Sequence, residues 1–238
     1  MPQPGPTHVL IVHEEALTCA GCIAVLGPRP DLPAAACGLG EAVALVAGER
    51  PGRCDVIVAD YASALALALT ARQAARRHAA RCPRILVLTA MDREWDVRAA
   101  MEAGVHGYLL QRCRPEQLVE AIEAVARDVP FVSVELAPKL ARSLTQDRLT
   151  RREMDVLLAM STGASNKDIS LRLGITDATV KTHVRAILSK VGAGARTEAV
   201  AIAARRGLTA RPPLEAIRAA HFGQKAPVLI QASTSSPN

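Results

Sequence analysis

The chain has 238 residues, 50% of them apolar and only 2% aromatic, with 29 Lys and Arg against 23 Asp and Glu. That apolar content fills one large core or two small ones and argues against overall disorder. The longest apolar runs fall far short of the ~20 residues of a membrane-spanning helix, and the opening MPQPGP lacks the basic start of a secretory signal, so a cytoplasmic protein is expected.

The charge is unevenly divided. Residues 1–127 carry 13 Arg, no Lys and 14 acids, net −1, whereas residues 147–210 carry 11 Lys and Arg against 6 acids, net +5. A basic module behind a near-neutral one points to an anionic partner for the second, although a solvated helical surface would also account for the excess.

In chain order, short apolar runs recur at Val9–Val12, Val56–Ala59, Ile85–Leu88 and Gly107–Leu110, separated by Ala-rich segments of helical spacing at Glu41–Ala47, Leu65–Ala79 and Glu94–Glu102. Uninterrupted apolar strands alternating with helices predict a parallel sheet covered on both faces. Ligands of such folds bind beyond the carboxyl ends of the strands. His13, Glu14, Asp60 and Thr89 follow their strands at that position. All six cysteines (Cys19, Cys22, Cys37, Cys54, Cys82 and Cys113) lie in the first half and read as reduced, mostly buried thiols. Cys19-Ala-Gly-Cys22 has ligand-like spacing but no matching second pair. Cys54 and Cys82 precede strands expected to be neighbours, so a redox pair is conceivable, with two small hydrophobes the plainer reading.

The order of strand, acid pair, strand, Asp, strand, Thr and AGVHGYLLQ resembles the receiver domain of two-component response regulators over roughly residues 7–127. The resemblance implies a flavodoxin-like doubly wound parallel five-stranded sheet and a phosphoryl acceptor at Asp60. It also implies a hydroxyl at Thr89, an aromatic switch residue at Tyr108, and a sensor histidine kinase as upstream partner. The family's acid pair binds Mg²⁺, yet here His13 stands for the first acid and Glu14 for the second, and Gln111 occupies the position of the family's lysine. An imidazole suits Mg²⁺ poorly and a longer carboxylate is misplaced. No lysine precedes Lys139, and Arg112 should point away from Gln111. A degenerate receiver fits these departures better than a working one. Phosphorylation at Asp60 through a loose Mg²⁺ site at Glu14 and Asp60 stays open, as does a softer metal such as Zn²⁺ at His13, Glu14 and Asp60.

Residues 128–146 hold two prolines and read as a linker with one short helical piece. Thr150-Arg-Arg-Glu153 forms a capping box with Leu149 and Met154 as a hydrophobic staple, and Ser165-Asn-Lys-Asp168 repeats the box with a shorter acid. A helix through Leu173, a break at Gly174 and a second helix from near Thr176 follow. With Lys181 at zero, Val180, Val184, Ile187 and Val191 cluster between about 240° and 300°, while Lys181, Thr182 and Arg185 span about 0° to 100°. One stripe packs and the other is free, as in a helix-turn-helix whose second helix enters the major groove.

LTRREMDVL, TGASNKDIS, LGITDATVKTHVRAILSKVG and ARTEAV closely resemble the LuxR-type DNA-binding domain, an all-α four-helix unit, which identifies the chain as a NarL/FixJ-type response regulator. By that likeness Lys181, Thr182 and Arg185 meet double-stranded DNA, and the helix from about Arg196 to Arg206 pairs across a homodimer two-fold. Asn166 and Lys167, near a helix start, suit backbone phosphate. Residues 211–238 read as a disordered tail. No Ser/His/Asp arrangement, nucleotide-binding glycine loop or strong metal spacing appears, so neither an enzyme nor a resident cofactor is expected. A protein-interaction module or phosphoryl sink remains the alternative to a DNA-binding regulator.

Overall fold

The structure is a computed structural model and describes residues 5–77, 82–145 and 149–209. The tail expected at 211–238 lies outside these residues, as does Ala79, the expected end of the second Ala-rich segment.

The N-terminal part alternates strictly: β1 (Val9–Val12), α1 (Ala16–Leu26), β2 (Ala34–Ala36), α2 (Leu39–Val46), β3 (Val56–Ala59), α3 (Tyr61–Arg77), β4 (Arg84–Thr89), α4 (Glu94–Ala103), β5 (Gly107–Leu110) and α5 (Pro115–Ala126). The strands pair in parallel in the order β2-β1-β3-β4-β5, the doubly wound arrangement expected. A sixth strand of two residues, β6 (Phe131–Val132), joins beyond β5. It comes from the segment read as linker, which also forms α6 (Ala137–Thr145).

Each central strand feeds two cores. Ile57, Ala59, Ile85, Val87, Tyr108 and Leu110 face α2, α3 and α4. Val56, Val58, Leu86, Leu88 and Leu109 face α1 and α5. Period-2 alternation with both faces apolar is what produces uninterrupted apolar runs. β2 escapes detection from sequence because three alanines carry no strand propensity. α3 starts at Tyr61, four residues before the periodicity indicates, so no loop separates it from β3.

The C-terminal part consists of α7 (Arg151–Ser161), α8 (Asn166–Leu173), α9 (Asp177–Val191) and α10 (Arg196–Arg205) around a third core. Both predicted capping boxes form: Glu153 N–H donates to Thr150 Oγ1 at 3.2 Å and Asp168 N–H to Ser165 Oγ at 3.2 Å. Leu149 and Met154 both join the core they were expected to staple. Gly174 breaks the chain between α8 and α9 at φ 64°.

Gly107 is where β4, α5 and β6 converge. A methyl group there would lie 2.7 Å from Leu86 Cδ1, 2.8 Å from Val125 Cγ2 and 3.3 Å from Phe131 O. Gly107→Ala is therefore expected to lower stability by about 1–3 kcal/mol through overpacking. Gly38→Ala, with open space at its Cβ, should shift the urea midpoint far less.

Candidate functional sites

At the carboxyl ends of β1 and β3, adjacent in the sheet, the chain delivers His13, Glu14 and Asp60. Asp60 is 7% exposed and caps α3: Oδ1 accepts from Ser63 N–H (2.9 Å), and Oδ2 from Ser63 Oγ–H (2.7 Å) and Glu14 N–H (3.3 Å). An anion at the amino end of a 17-residue helix is stabilised by unpaired N–H groups and the helix dipole. Its three donors are all neutral.

His13 is occupied on both ring nitrogens. Nδ1 accepts from Glu15 N–H at 3.1 Å, and Nε2 lies 3.2 Å from both Leu88 O and Gln111 Nε2. Gln111 donates through Nε2 to Glu15 Oε2 (2.8 Å) and Thr18 Oγ1 (3.3 Å), and Thr18 donates in turn to Glu15 (2.8 Å). The Thr18 and Gln111 hydrogen bonds hold the Glu15 carboxyl below its ordinary value. Glu14 gives its backbone to Asp60 while its side chain is exposed. Among the described residues, no group of three or more His, Cys, Asp and Glu is arranged to hold a metal ion.

The remaining pocket residues lie behind this rim. Thr89, buried, accepts from Met91 N–H at 3.3 Å. Tyr108, fully buried, donates its hydroxyl to Met91 O at 2.9 Å and meets Tyr61 edge to face, ring centroids 6.4 Å apart. Arg112 turns away from Gln111, as strand alternation requires, and bonds Glu135 at 2.6 Å. Thr18, Tyr61 and Ser63 were not singled out from sequence. The spacing Asp60-x-x-Ser63 is itself a capping signature, hidden by the reading of Asp60 as an acceptor. The cysteines are all free thiols, and burial pushes Cys22 up to about 11 and Cys54 up to about 12, far from reactive thiolates.

The second site is α9. Val180, Ile187 and Val191 are buried and Val184 partly so, while Lys181, Thr182 and Arg185 are exposed, as the helical wheel separates them. Lys181 pairs with Asp177 one turn back at 2.8 Å, and Thr182 donates to Ala178 O at 3.1 Å. His183 is half-buried between the stripes. Lys190 anchors α9 to α7 by bonding both oxygens of Glu153 (3.0 and 2.8 Å). Burial raises the Glu153 carboxyl, but the Lys190 and Thr150 contacts outweigh it and leave the group below its ordinary value. Lys167 is exposed on the first turn of α8. The Asn166 carbonyl is engaged by Arg196 at 3.1 Å, and the same guanidinium reaches Ala164 O at 2.6 Å, so a side chain of α10 orients the start of α8.

Residues 147–203 match the model of the family described as bacterial regulatory proteins, luxR family. The chain is 30% identical over 211 residues to the transcriptional regulatory protein LiaR of Bacillus subtilis, covering 84% of this chain and 98% of that protein. It is 33% identical over 208 residues to the nitrate/nitrite response regulator protein NarP of Escherichia coli, covering 84% and 95%. Other relatives are matched over less of their length, such as NarL of Escherichia coli, 39% identical over 125 residues, covering 49% of this chain and 58% of that protein. The RcsB response regulator of Salmonella typhimurium shares the fold, with a TM-score of 0.58 at 17% identity over 83% of this chain and 99% of that one.

Two substitutions test the geometry. If Asp60 acts as a helix cap, Asp60→Asn should keep stability within about 0.5 kcal/mol while Asp60→Ala costs about 1–2 kcal/mol in denaturant melts. Glu153→Ala, which removes a capping-box partner and the ion pair with Lys190, should cost on the order of 1–3 kcal/mol, measured the same way.

Proposed function

This chain belongs to the response regulators that carry a LuxR-type C-terminal domain, and on that premise we propose that it is a sequence-specific DNA-binding transcriptional regulator acting as a homodimer. The carrying observation is α9: a basic stripe of Lys181, Thr182 and Arg185 faces solvent because the opposite stripe is locked into the core. In this reading Lys181, Thr182 and Arg185 meet base edges and nearby phosphates. Lys167 and the free amide of Asn166 meet backbone phosphate, and α10 pairs across the two-fold. The proposed division is 1–127 as receiver-like domain, 128–146 as a linker whose β6 docks on the receiver sheet, 147–210 as DNA-binding domain and 211–238 as tail. The protein catalyses no reaction of its own.

The same reading takes the N-terminal pocket as a degenerate receiver, not driven by Mg²⁺-dependent phosphorylation of Asp60. Both His13 nitrogens serve main-chain groups, the Glu14 carboxylate faces water, and Gln111 supplies no positive charge. These residues do not fit an octahedral Mg²⁺ site. Asp60 is committed to the start of α3, and a phosphoryl group on it would displace the Ser63 hydrogen bonds. A histidine kinase partner is not needed in this account.

DNA binding is tested on genomic fragments. Affinity for a specific site should fall by orders of magnitude between tens and hundreds of millimolar salt, through counterion release. Lys181→Ala and Arg185→Ala should each cost on the order of 1–3 kcal/mol. Unchanged binding in both variants removes the groove-reading assignment and favours the protein-interaction alternative. For the pocket, incubation with acetyl phosphate and Mg²⁺ should leave the intact mass unchanged. A gain of one phosphoryl group that disappears in Asp60→Asn would restore the conventional switch.

A further inference from the structure

The two parts of the chain meet at a seam between the start of α4 and the end of α10. Trp95 N–H donates to Arg206 O at 3.2 Å, and the Trp95 ring packs against the core of the C-terminal helices. Gly207 follows at φ +83°, and its backbone fits so closely that a Cβ there would lie 2.9 Å from Arg93 Cδ and 3.5 Å from Asp96 Oδ2. Asp96 is 2% exposed, and Oδ2 is the buried side-chain oxygen or nitrogen that has no hydrogen-bond partner among the described residues.

We propose that this seam is a proton-gated latch, in which protonation of Asp96 strengthens the docking of the end of α10 on α4. A buried carboxylate without a donor is costly when ionised and tolerable when protonated. The groups that face it do not relieve the cost. Tyr108 of β5 donates its hydroxyl to Met91 O, and Tyr61 of α3 presents its ring beside it. The Asp96 charge is one of the influences that, after burial, push both phenols up. In its own loop Arg93 favours the ionised form and Asp92 opposes it, and Lys139 of α6 is bound to Asp92 at 3.0 Å. From α10 come the Arg206 carbonyl and the Gly207 backbone, beside the Arg205 side chain in sequence.

Burial, partly offset by Arg93, pushes the docked carboxyl up to about 6. An undocked Asp96 regains water and titrates nearer the ordinary value of about 4. The docked state therefore binds the proton more tightly, so docking is strongest at low pH, weakens as pH rises toward about 6 and levels off above it. The docked-to-open ratio should fall on the order of tenfold between pH 5 and pH 7.

Trp95 is the chain's single tryptophan, so its emission reports the seam without a label. The full chain is titrated from pH 5 to pH 8, with emission maximum and radius of gyration by X-ray scattering both recorded. In the wild type both should rise as pH goes from 5 toward about 6 and level off above it. Asp96→Asn, neutral at every pH, should keep the low-pH values throughout. Gly207→Ala, whose methyl meets Arg93, should show the open values throughout, with circular dichroism confirming its helices. A wild type that does not respond, or an Asp96→Asn that follows the wild-type curve, overturns the latch. If Asp96→Asn does not fold, Gly207→Ala decides: a retained wild-type profile overturns it. Any effect on DNA affinity rests on the function proposed above, but this titration uses no DNA and so fails or succeeds separately.

Discussion

Burial of the central strands on both faces is the constraint from which the N-terminal arrangement follows. Val56–Ala59 and Gly107–Leu110 are buried at every position, so neither face of the sheet has room for a polar side chain. Helices must cover both faces, and the polar residues these strands deliver emerge at their ends. His13, Asp60, Thr89 and Gln111 meet for that reason, although more than 90 residues separate the first from the last.

Meeting is not the same as being available. His13 is bound on both nitrogens by main-chain groups, Asp60 holds the first turn of α3, and Gln111 closes onto Glu15 and Thr18. The residues of the pocket form a set of hydrogen bonds that tie β1, β3 and α1 together. Its polar residues now contribute by pairing, since each would be expensive to bury unpaired. Asp96 is the contrast: a buried carboxylate oxygen without a donor, placed where the two halves of the chain touch. Among the described residues the other buried side-chain oxygens and nitrogens have partners, which gives that exception its weight.

In the C-terminal helices the same logic works with a different period. Val180, Ile187 and Val191 bury one side of α9 against α7 and α10, and a rigid helix then has no choice but to turn Lys181, Thr182 and Arg185 outward. Glu153 and Lys190 fix the roll of α9 on α7, while Arg196 holds the start of α8. The exposed stripe is thus positioned by side chains on three other helices.

Local chemistry was legible in the sequence wherever it is periodic or capped: the central strands, the boxes at Thr150 and Ser165, the break at Gly174 and the two stripes of α9. These depend on neighbours a few residues away, and so a linear reading recovers them. Three alanines becoming β2 and Phe131–Val132 joining the sheet from an apparent linker were decided only by tertiary structure. So were the engagement of both His13 nitrogens, the Arg196 clamp on Asn166 and the isolation of Asp96. Each of these depends on a partner distant in the chain, or on surroundings such a partner helps build, and hydrogen-bond satisfaction is settled in space rather than by the order of residues.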